Sequence, residues 1–135
     1  MDTRVDYQGS SLGHTPAAEA TTGLRYNDGK TRYDLIPADV LHEIADLYTI
    51  GAEKYAARNW EKGLVWMDTF ACLLRHAFLW VRGEDYDIYP DHRGRPGSGK
   101  HHMIHVAWNA MALAAFAMRG GGTDDRPRSA FKKVN

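Results

Sequence analysis

Between Asp68 and Arg82 the chain places Phe70, Ala71, Leu73, Leu74, Ala77, Phe78, Leu79, Trp80 and Val81 almost without a break. Wound as a helix, at about 100° per residue, these side chains cover most of the circumference. A helix that is apolar nearly all round needs cover on more than one side. The sequence therefore predicts a central, buried helix with others packed around it. Asp68 is placed to cap its start and Gly83 to stop it. Arg75 falls on one line with Asp68 and Arg82 and is expected to face water. His76 lies nearer the apolar side and is harder to explain.

Two further segments share the helical period. The first opens at Pro37, whose missing N–H costs nothing in a first turn, and has Asp39 and Glu43 near its positive end. Val40, Leu41, Ile44, Leu47, Tyr48 and Tyr55 follow at i, i+3/4 and i+7/8 spacing. The second runs from about Lys100 to Arg119, where Gly120 ends it. Strand signals are slight: residues 24–35 suit a short extended piece with a turn at Asn27–Asp28–Gly29. The expected fold class is all-α, an antiparallel helical bundle. Residues 1–23 are small and polar and read as a flexible N-terminal arm; 24–119 form the helical domain, and 120–135 a C-terminal tail.

Composition narrows the function. Seventeen basic residues balance seventeen acidic ones, so no global field favours stable nucleic-acid binding. The most apolar run, Val106 to Met118, is broken by Asn109 and falls well short of the ~20 residues that span a bilayer. No membrane association is expected. Cys72 is the only cysteine, which excludes an internal disulfide and a four-thiolate zinc site, and suits a reducing cytoplasm.

Chemistry-bearing residues gather in four places. His102, His105 and Asn109 stand three and four positions apart, within about 60° on one face of an otherwise apolar helix. Burying them unpaired costs on the order of 1–3 kcal/mol each, so the stripe either meets water or meets partners. Glu84, Asp85 and Asp87 crowd three carboxylates into four positions straight after a buried helix; solvent, basic partners or a hard divalent cation relieves such repulsion. One more helical turn would aim Glu84 and Asp87 the same way, with Asp85 facing out. Glu43 and Asp46, a Glu-x-x-Asp pair, can chelate a metal across one turn, and equally suit a solvated face. Lys30, Arg32, Lys54 and Arg75 offer positive charge, and Asn59–Trp60 pairs an amide with an aromatic ring. That combination can hold a base or seal the end of a bundle.

Taken in order, Gly29-Lys30-Thr31-Arg32-Tyr33-Asp34-Leu35-Ile36-Pro37, Gly51-Ala52-Glu53-Lys54-Tyr55, Asn59-Trp60, Arg75-His76, Gly83-Glu84-Asp85-Tyr86-Asp87 and His102-Met103-Ile104-His105 with Asn109 resemble successive blocks of one family. It is the phage and bacterial dATP/dGTP diphosphohydrolase (MazZ-like) group of the MazG-like all-α nucleoside triphosphate pyrophosphohydrolases. The resemblance covers residues 29–118. It implies a homo-oligomer (dimer or tetramer), a Mg2+ or Mn2+ site between helices, and cleavage of a purine (deoxy)nucleoside triphosphate, dGTP or dATP, to monophosphate and pyrophosphate. In a phage this would take place in the host cytoplasm.

On that resemblance Glu84 and Asp87 are the first choice as metal ligands, then Glu43 and Asp46, with Glu84, Asp87, His76 and His102 as the catalytic set. Lys30, Arg32, Lys54, Asn59, Trp60, Arg75, His105 and Asn109 are assigned to substrate. The wider superfamily's Glu-Glu-x-x-Glu helix is absent, and the two Glu-x-x-Asp pairs are far apart in sequence. A rival from another class is a non-catalytic helical module that binds a nucleotide or a protein. An unrelated His-Asp metal phosphohydrolase is disfavoured because Asp91–His92 has the reverse order.

Overall fold

A computed structural model describes residues 22–128. The N-terminal arm expected over 1–23 therefore lies almost wholly outside the described residues, as does the chain beyond Arg128. The chain divides into two compact units, Met1–Ile36 and Pro37–Asn135. In the first, the Lys30 N–H donates to the Asn27 carbonyl at 3.1 Å, closing the expected turn at Asn27–Asp28–Gly29. A short 3-10 turn, Tyr33–Leu35, follows. The Arg32 guanidinium donates twice to Asp34, at 2.7 and 2.6 Å.

The described residues of the second unit form three α-helices: α1, Ala38–Lys54, α2, Trp66–Val81, and α3, His102–Arg119. Among the described residues there is no strand, only isolated bridges Val65–Thr123 and Tyr86–His101. The chain is all-α. Pro37 sits at the N-cap of α1, and its carbonyl accepts the Leu41 N–H at 3.0 Å. Asp39 in the first turn and Lys54 in the last complement the helix dipole. α3 is capped by His101, whose ring nitrogen accepts the Met103 N–H, and ends at Gly120 with φ +73°.

α2 starts two residues earlier than the sequence suggests, and Asp68 is not its cap. Its first amides are satisfied from the far end of the chain: Trp66 N–H donates to the Thr123 carbonyl and Met67 N–H to the Asp125 carboxylate, both at 2.9 Å. The Trp66 indole donates to the Gly121 carbonyl at 3.0 Å. This clasp needs Gly122, where φ is +69° and a Cβ would lie 2.6 Å from the Leu64 carbonyl oxygen. Residues 121–125, part of the stretch read as a tail, are thus tied to the start of α2.

The layering differs from the expectation of a central α2. α3 is the middle helix; it packs extensively along α2 and less along α1, while α1 and α2 share little contact. Contacts of His76 with His102 and of Cys72 with Asn109 show α2 and α3 antiparallel, whereas Glu43 with Lys100 and Tyr48 with Trp108 give α1 the direction of α3. Leu47, Ile104, Ala112 and Phe116 form the buried apolar core. Thr69 is the one buried residue of α2, so this helix is not central: apolar residues on all sides state that cover is wanted, not that this chain supplies it. No helix among the described residues is long and apolar enough to cross a membrane.

Candidate active site

The chemistry-bearing residues of the second unit meet where α2 ends and α3 begins. Gly83, with φ +100°, stops α2, and the chain continues extended instead of adding the helical turn considered from sequence. Tyr86 bridges to His101; Asp87 N–H donates to the Lys100 carbonyl at 2.9 Å and His102 N–H to the Asp85 carbonyl at 2.8 Å. This isolated bridge and its flanking bonds lay Glu84 and Asp87 beside the first turn of α3. Glu84 meets His102, with Oε1 3.1 Å from Nε2, and Asp87 meets His105, with Oδ2 3.5 Å from Nε2. Asp85 faces out, as expected. The two carboxylates are separated because each is matched to one histidine, one turn apart on α3.

The histidine stripe faces α2, not solvent. His102 is wholly buried and Asn109 nearly so. His76 of α2 reaches them: its Nδ1 is 2.8 Å from His102 Nδ1, and its ring stacks on His105 with centroids 4.0 Å apart and planes within 5°. Proton bookkeeping orders this chain. An ionised Glu84 only accepts, so His102 Nε2 carries the hydrogen; neutral His102 then accepts at Nδ1, and His76 must donate from its own Nδ1. That leaves His76 Nε2 with a free lone pair. Burial holds His76 at a pKa of about 4, helped by His105 and opposed by Asp87. Burial likewise lowers His105. Two stacked imidazolium rings would repel, so the neutral state suits the geometry.

Ser98 and Gly97 fix Asp87. Ser98 N–H donates to Asp87 Oδ2 at 2.9 Å, and Ser98 Oγ lies 2.6 Å from His105 Nε2. Burial pushes the Asp87 carboxyl up, but the Ser98 amide and hydroxyl, with His105 and His76, outweigh it and leave the pKa lowered. Gly97 packs on the Asp87 backbone so closely that a Cβ would fall 2.1 Å from its carbonyl oxygen. Asp91 accepts from the Arg93 and Arg95 N–H groups at 2.8 and 2.9 Å and closes the loop between them.

Lys100 joins this segment to α1. Its ammonium donates to Glu43 Oε2 at 2.7 Å and Asp46 Oδ2 at 3.0 Å. The bond to Lys100 chiefly lowers the Asp46 pKa, while Glu43 and then Asp46 raise that of Lys100. The acidic pair of α1 thus already converges on one cationic centre. Among the described residues no three His, Cys, Asp or Glu side chains are grouped to hold a metal by themselves. Two converging carboxylates nevertheless fit a magnesium-type ion, which keeps several waters and takes substrate oxygens for the rest.

The remaining sequence candidates of the second unit lie outside this cluster. Trp60 packs against Tyr48 and Phe116, at 6.0 and 5.9 Å between centroids, with Arg119 over its ring. Asn59 opens that same short 3-10 turn, Asn59–Lys62. Lys54 lies over the Tyr55 ring at the end of α1, eleven residues and about 16 Å along from Glu43. Arg75 lines a groove along α2 with Leu74, Phe78 and Arg82, and its charge adds to what lowers the His76 pKa. Asn109 Nδ2 donates to the His105 carbonyl at 2.8 Å and lies 3.6 Å from Cys72 Sγ, inside the α2–α3 contact. Lys30 and Arg32 belong to the first unit and are exposed there. Ser98 and Lys100 were not legible as site residues, although Gly97-Ser98-Gly99-Lys100 directly precedes the histidine helix.

A family model described as dATP/dGTP diphosphohydrolase, N-terminal, matches residues 20–126. The chain belongs to this family. A dATP/dGTP diphosphohydrolase of Salmonella phage PMBT28 is 28% identical over 109 residues, which is 81% of this chain and 34% of that protein. The chain thus spans about a third of the length of that curated relative. No solved structure matches. The family match takes in every residue of the histidine–carboxylate cluster and of the Glu43–Asp46–Lys100 group.

The histidines carry a pH prediction. His76 and His105 are held below their ordinary pKa by burial, so the unfolded chain binds more protons than the folded one between about pH 6.5 and pH 4. Stability is therefore full above that window and falls as the pH drops through it. His76 is partly exposed, which discounts the loss to roughly 1–2 kcal/mol. Carboxylates with lowered pKa, such as Asp46 and Asp87, add their own loss only below the ordinary carboxylate range. Thermal melting from pH 7.5 to 4.5 checks this; a flat melting temperature contradicts it, and His76→Gln should flatten part of the slope.

Proposed function

We propose that the chain hydrolyses a purine (deoxy)nucleoside triphosphate, dGTP or dATP, to the monophosphate and pyrophosphate. The observation that carries this reading is the Glu84–His102–His76 chain, which ends in an unprotonated ring nitrogen, while Lys100, two residues before His102, ties the Glu43–Asp46 pair to the start of α3. The family's name points to the same substrates.

In this reading His76 Nε2 takes a proton from a water molecule as its oxygen bonds to the α-phosphorus. The bond from that phosphorus to the bridging oxygen breaks, and pyrophosphate leaves. The His76 imidazolium formed is stabilised through His102 by the Glu84 carboxylate, which also fixes both tautomers. His105, aligned by Asp87 and Ser98, holds the His76 ring face. Mg2+ or Mn2+ would be held by Glu43 and Asp46, and when bound it neutralises charge on the phosphate oxygens. The Lys100 ammonium, which donates to both of these carboxylates, would be placed to meet a phosphate oxygen. Glu84 and Asp87, the first choice as metal ligands from sequence, serve here as orienting carboxylates: Glu84 accepts from His102, and Asp87 accepts the Ser98 N–H and lies 3.5 Å from His105 Nε2. Assembly of several copies is part of the same proposal.

The test is a screen of the common nucleoside triphosphates with Mg2+ or Mn2+, resolving phosphate products. Purine deoxynucleotides should give monophosphate and pyrophosphate, and chelation should stop the reaction. Tight binding of a nucleotide without turnover would favour the non-catalytic module instead.

A further inference from the structure

Ser98, and not Asp87, stands within bonding distance of His105. Asp87 Oδ2 is 3.5 Å from His105 Nε2, too long for an ordinary N–H to oxygen bond, whereas Ser98 Oγ is 2.6 Å from the same nitrogen. The hydroxyl also accepts the Lys100 N–H at 3.2 Å. A hydroxyl has one hydrogen to give and two lone pairs to fill. With one lone pair taken by Lys100, its hydrogen goes either to His105 or to the Asp87 carboxylate. The first choice leaves a bare Nε2 lone pair facing the charge of Asp87. The second places the Nε2 hydrogen between two oxygens, sends the hydroxyl hydrogen to the carboxylate and satisfies Oγ completely. Only the second avoids repulsion, and the Ser98 hydroxyl is among the groups that hold the Asp87 carboxyl below its ordinary range.

We propose that Ser98 is a positioning residue for the base: its hydroxyl links Asp87 to His105 and fixes His105 as the tautomer with hydrogen on Nε2 and a bare Nδ1. The link to catalysis rests on the reading of His76 as the base. Its effect reaches His76 through the stack. The two rings lie 4.0 Å apart with planes within 5°, so the orientation of one constrains the other. A neutral His105 against its face lets His76 take a proton with no second cation beside it. The backbone holds the hydroxyl in register with the carboxylate: Ser98 N–H donates to Asp87 Oδ2 at 2.9 Å, and Gly99 N–H to the Asp87 carbonyl at 2.8 Å. Asp87–Ser98–His105 is thus a second hydrogen-bonded chain beside Glu84–His102–His76, and the two meet where the rings of His105 and His76 stack. Asp87 acts on the histidines through the hydroxyl, so the carboxylate alone does not align His105.

Nitrogen-15 spectra of the histidine rings of the full chain at neutral pH read the tautomer directly, with His105→Gln assigning the signal. The parent should show a protonated Nε2 and a bare Nδ1 at His105. The reverse tautomer, or averaging of the two, overturns the proposal. Ser98→Ala removes only the hydroxyl; it should replace the single tautomer by averaged shifts while helical circular dichroism stays that of the parent. Unchanged shifts overturn the proposal. These spectra need no turnover, so they decide the role of Ser98 apart from the hydrolase reading. A parent that binds nucleotide without cleaving it would remove that reading and leave the tautomer result standing. Kinetics then test the link to His76. Ser98→Ala and Asp87→Asn should each lower the turnover number for dGTP roughly 10–100-fold. The double variant should lose no more than the worse single one, because both break the same chain. Losses that multiply would mean that Asp87 reaches His105 without Ser98, and would overturn the proposal.

Discussion

Glu84→Gln is expected to lower the turnover number for dGTP by roughly 10²–10⁴-fold while leaving KM and the helical circular-dichroism signal close to those of the parent. The amide keeps the size of the carboxyl and its carbonyl oxygen still accepts from His102 Nε2, which lies 3.1 Å from Glu84 Oε1. What it loses is the charge that stabilises the proton arriving on His76, and the certainty that His102 presents an acceptor at Nδ1. An amide flipped to present its NH2 group reverses both tautomers down the chain and puts a hydrogen on the nitrogen that must take one. Because the effect falls on the reacting state and not on binding, it belongs in the turnover number. Rapid-quench measurement of pyrophosphate release gives both constants. Full turnover by the variant would remove Glu84, and with it the proton chain, from the reaction.

Gly97→Ala is expected to destabilise the protein by about 1–3 kcal/mol and to reduce turnover with it. The added Cβ falls 2.1 Å from the Asp87 carbonyl oxygen and 2.6 Å from its carbonyl carbon, and both are backbone atoms that no rotamer can move. The same carbonyl accepts the Gly99 N–H at 2.8 Å, and the neighbouring Ser98 N–H holds the Asp87 carboxylate. Opening a gap at Gly97 therefore loosens both bonds and lets Asp87 leave His105. Amide hydrogen exchange at Ser98 and Gly99, beside a melting curve, separates this from a change elsewhere. Parent-like melting with parent-like protection would mean that the loop absorbs the methyl group and that the close approach is unimportant.

The parts of the fold set by local pattern were legible in the sequence. The period of residues 38–55, 68–82 and 100–119 locates all three helices, and Pro37 and Gly120 mark a start and an end that the structure keeps. The His102–His105–Asn109 stripe was legible for an energetic reason: three polar side chains on an apolar helix demand partners, and His76 was the polar residue of the neighbouring helix without an explanation. Features set by distant residues were not legible. Asp68 reads as the cap of α2, but Thr123 and Asp125 supply its bonds from across the chain. Lys100 binds Glu43 and Asp46 more than fifty residues away, and no local spacing announces it. The placement of Glu84 and Asp87 turned on one residue, since Gly83 ends the helix that would have aligned them. For α2, periodicity reports two apolar faces and cannot report which of them this chain covers.

In the proposed reaction water attacks the α-phosphorus. Hydrolysis of dGTP in water enriched in oxygen-18, with the products read by mass spectrometry, places the new oxygen directly. One labelled oxygen should appear in dGMP and none in pyrophosphate. Label in pyrophosphate or in orthophosphate, or no hydrolysis with either cation, would contradict it.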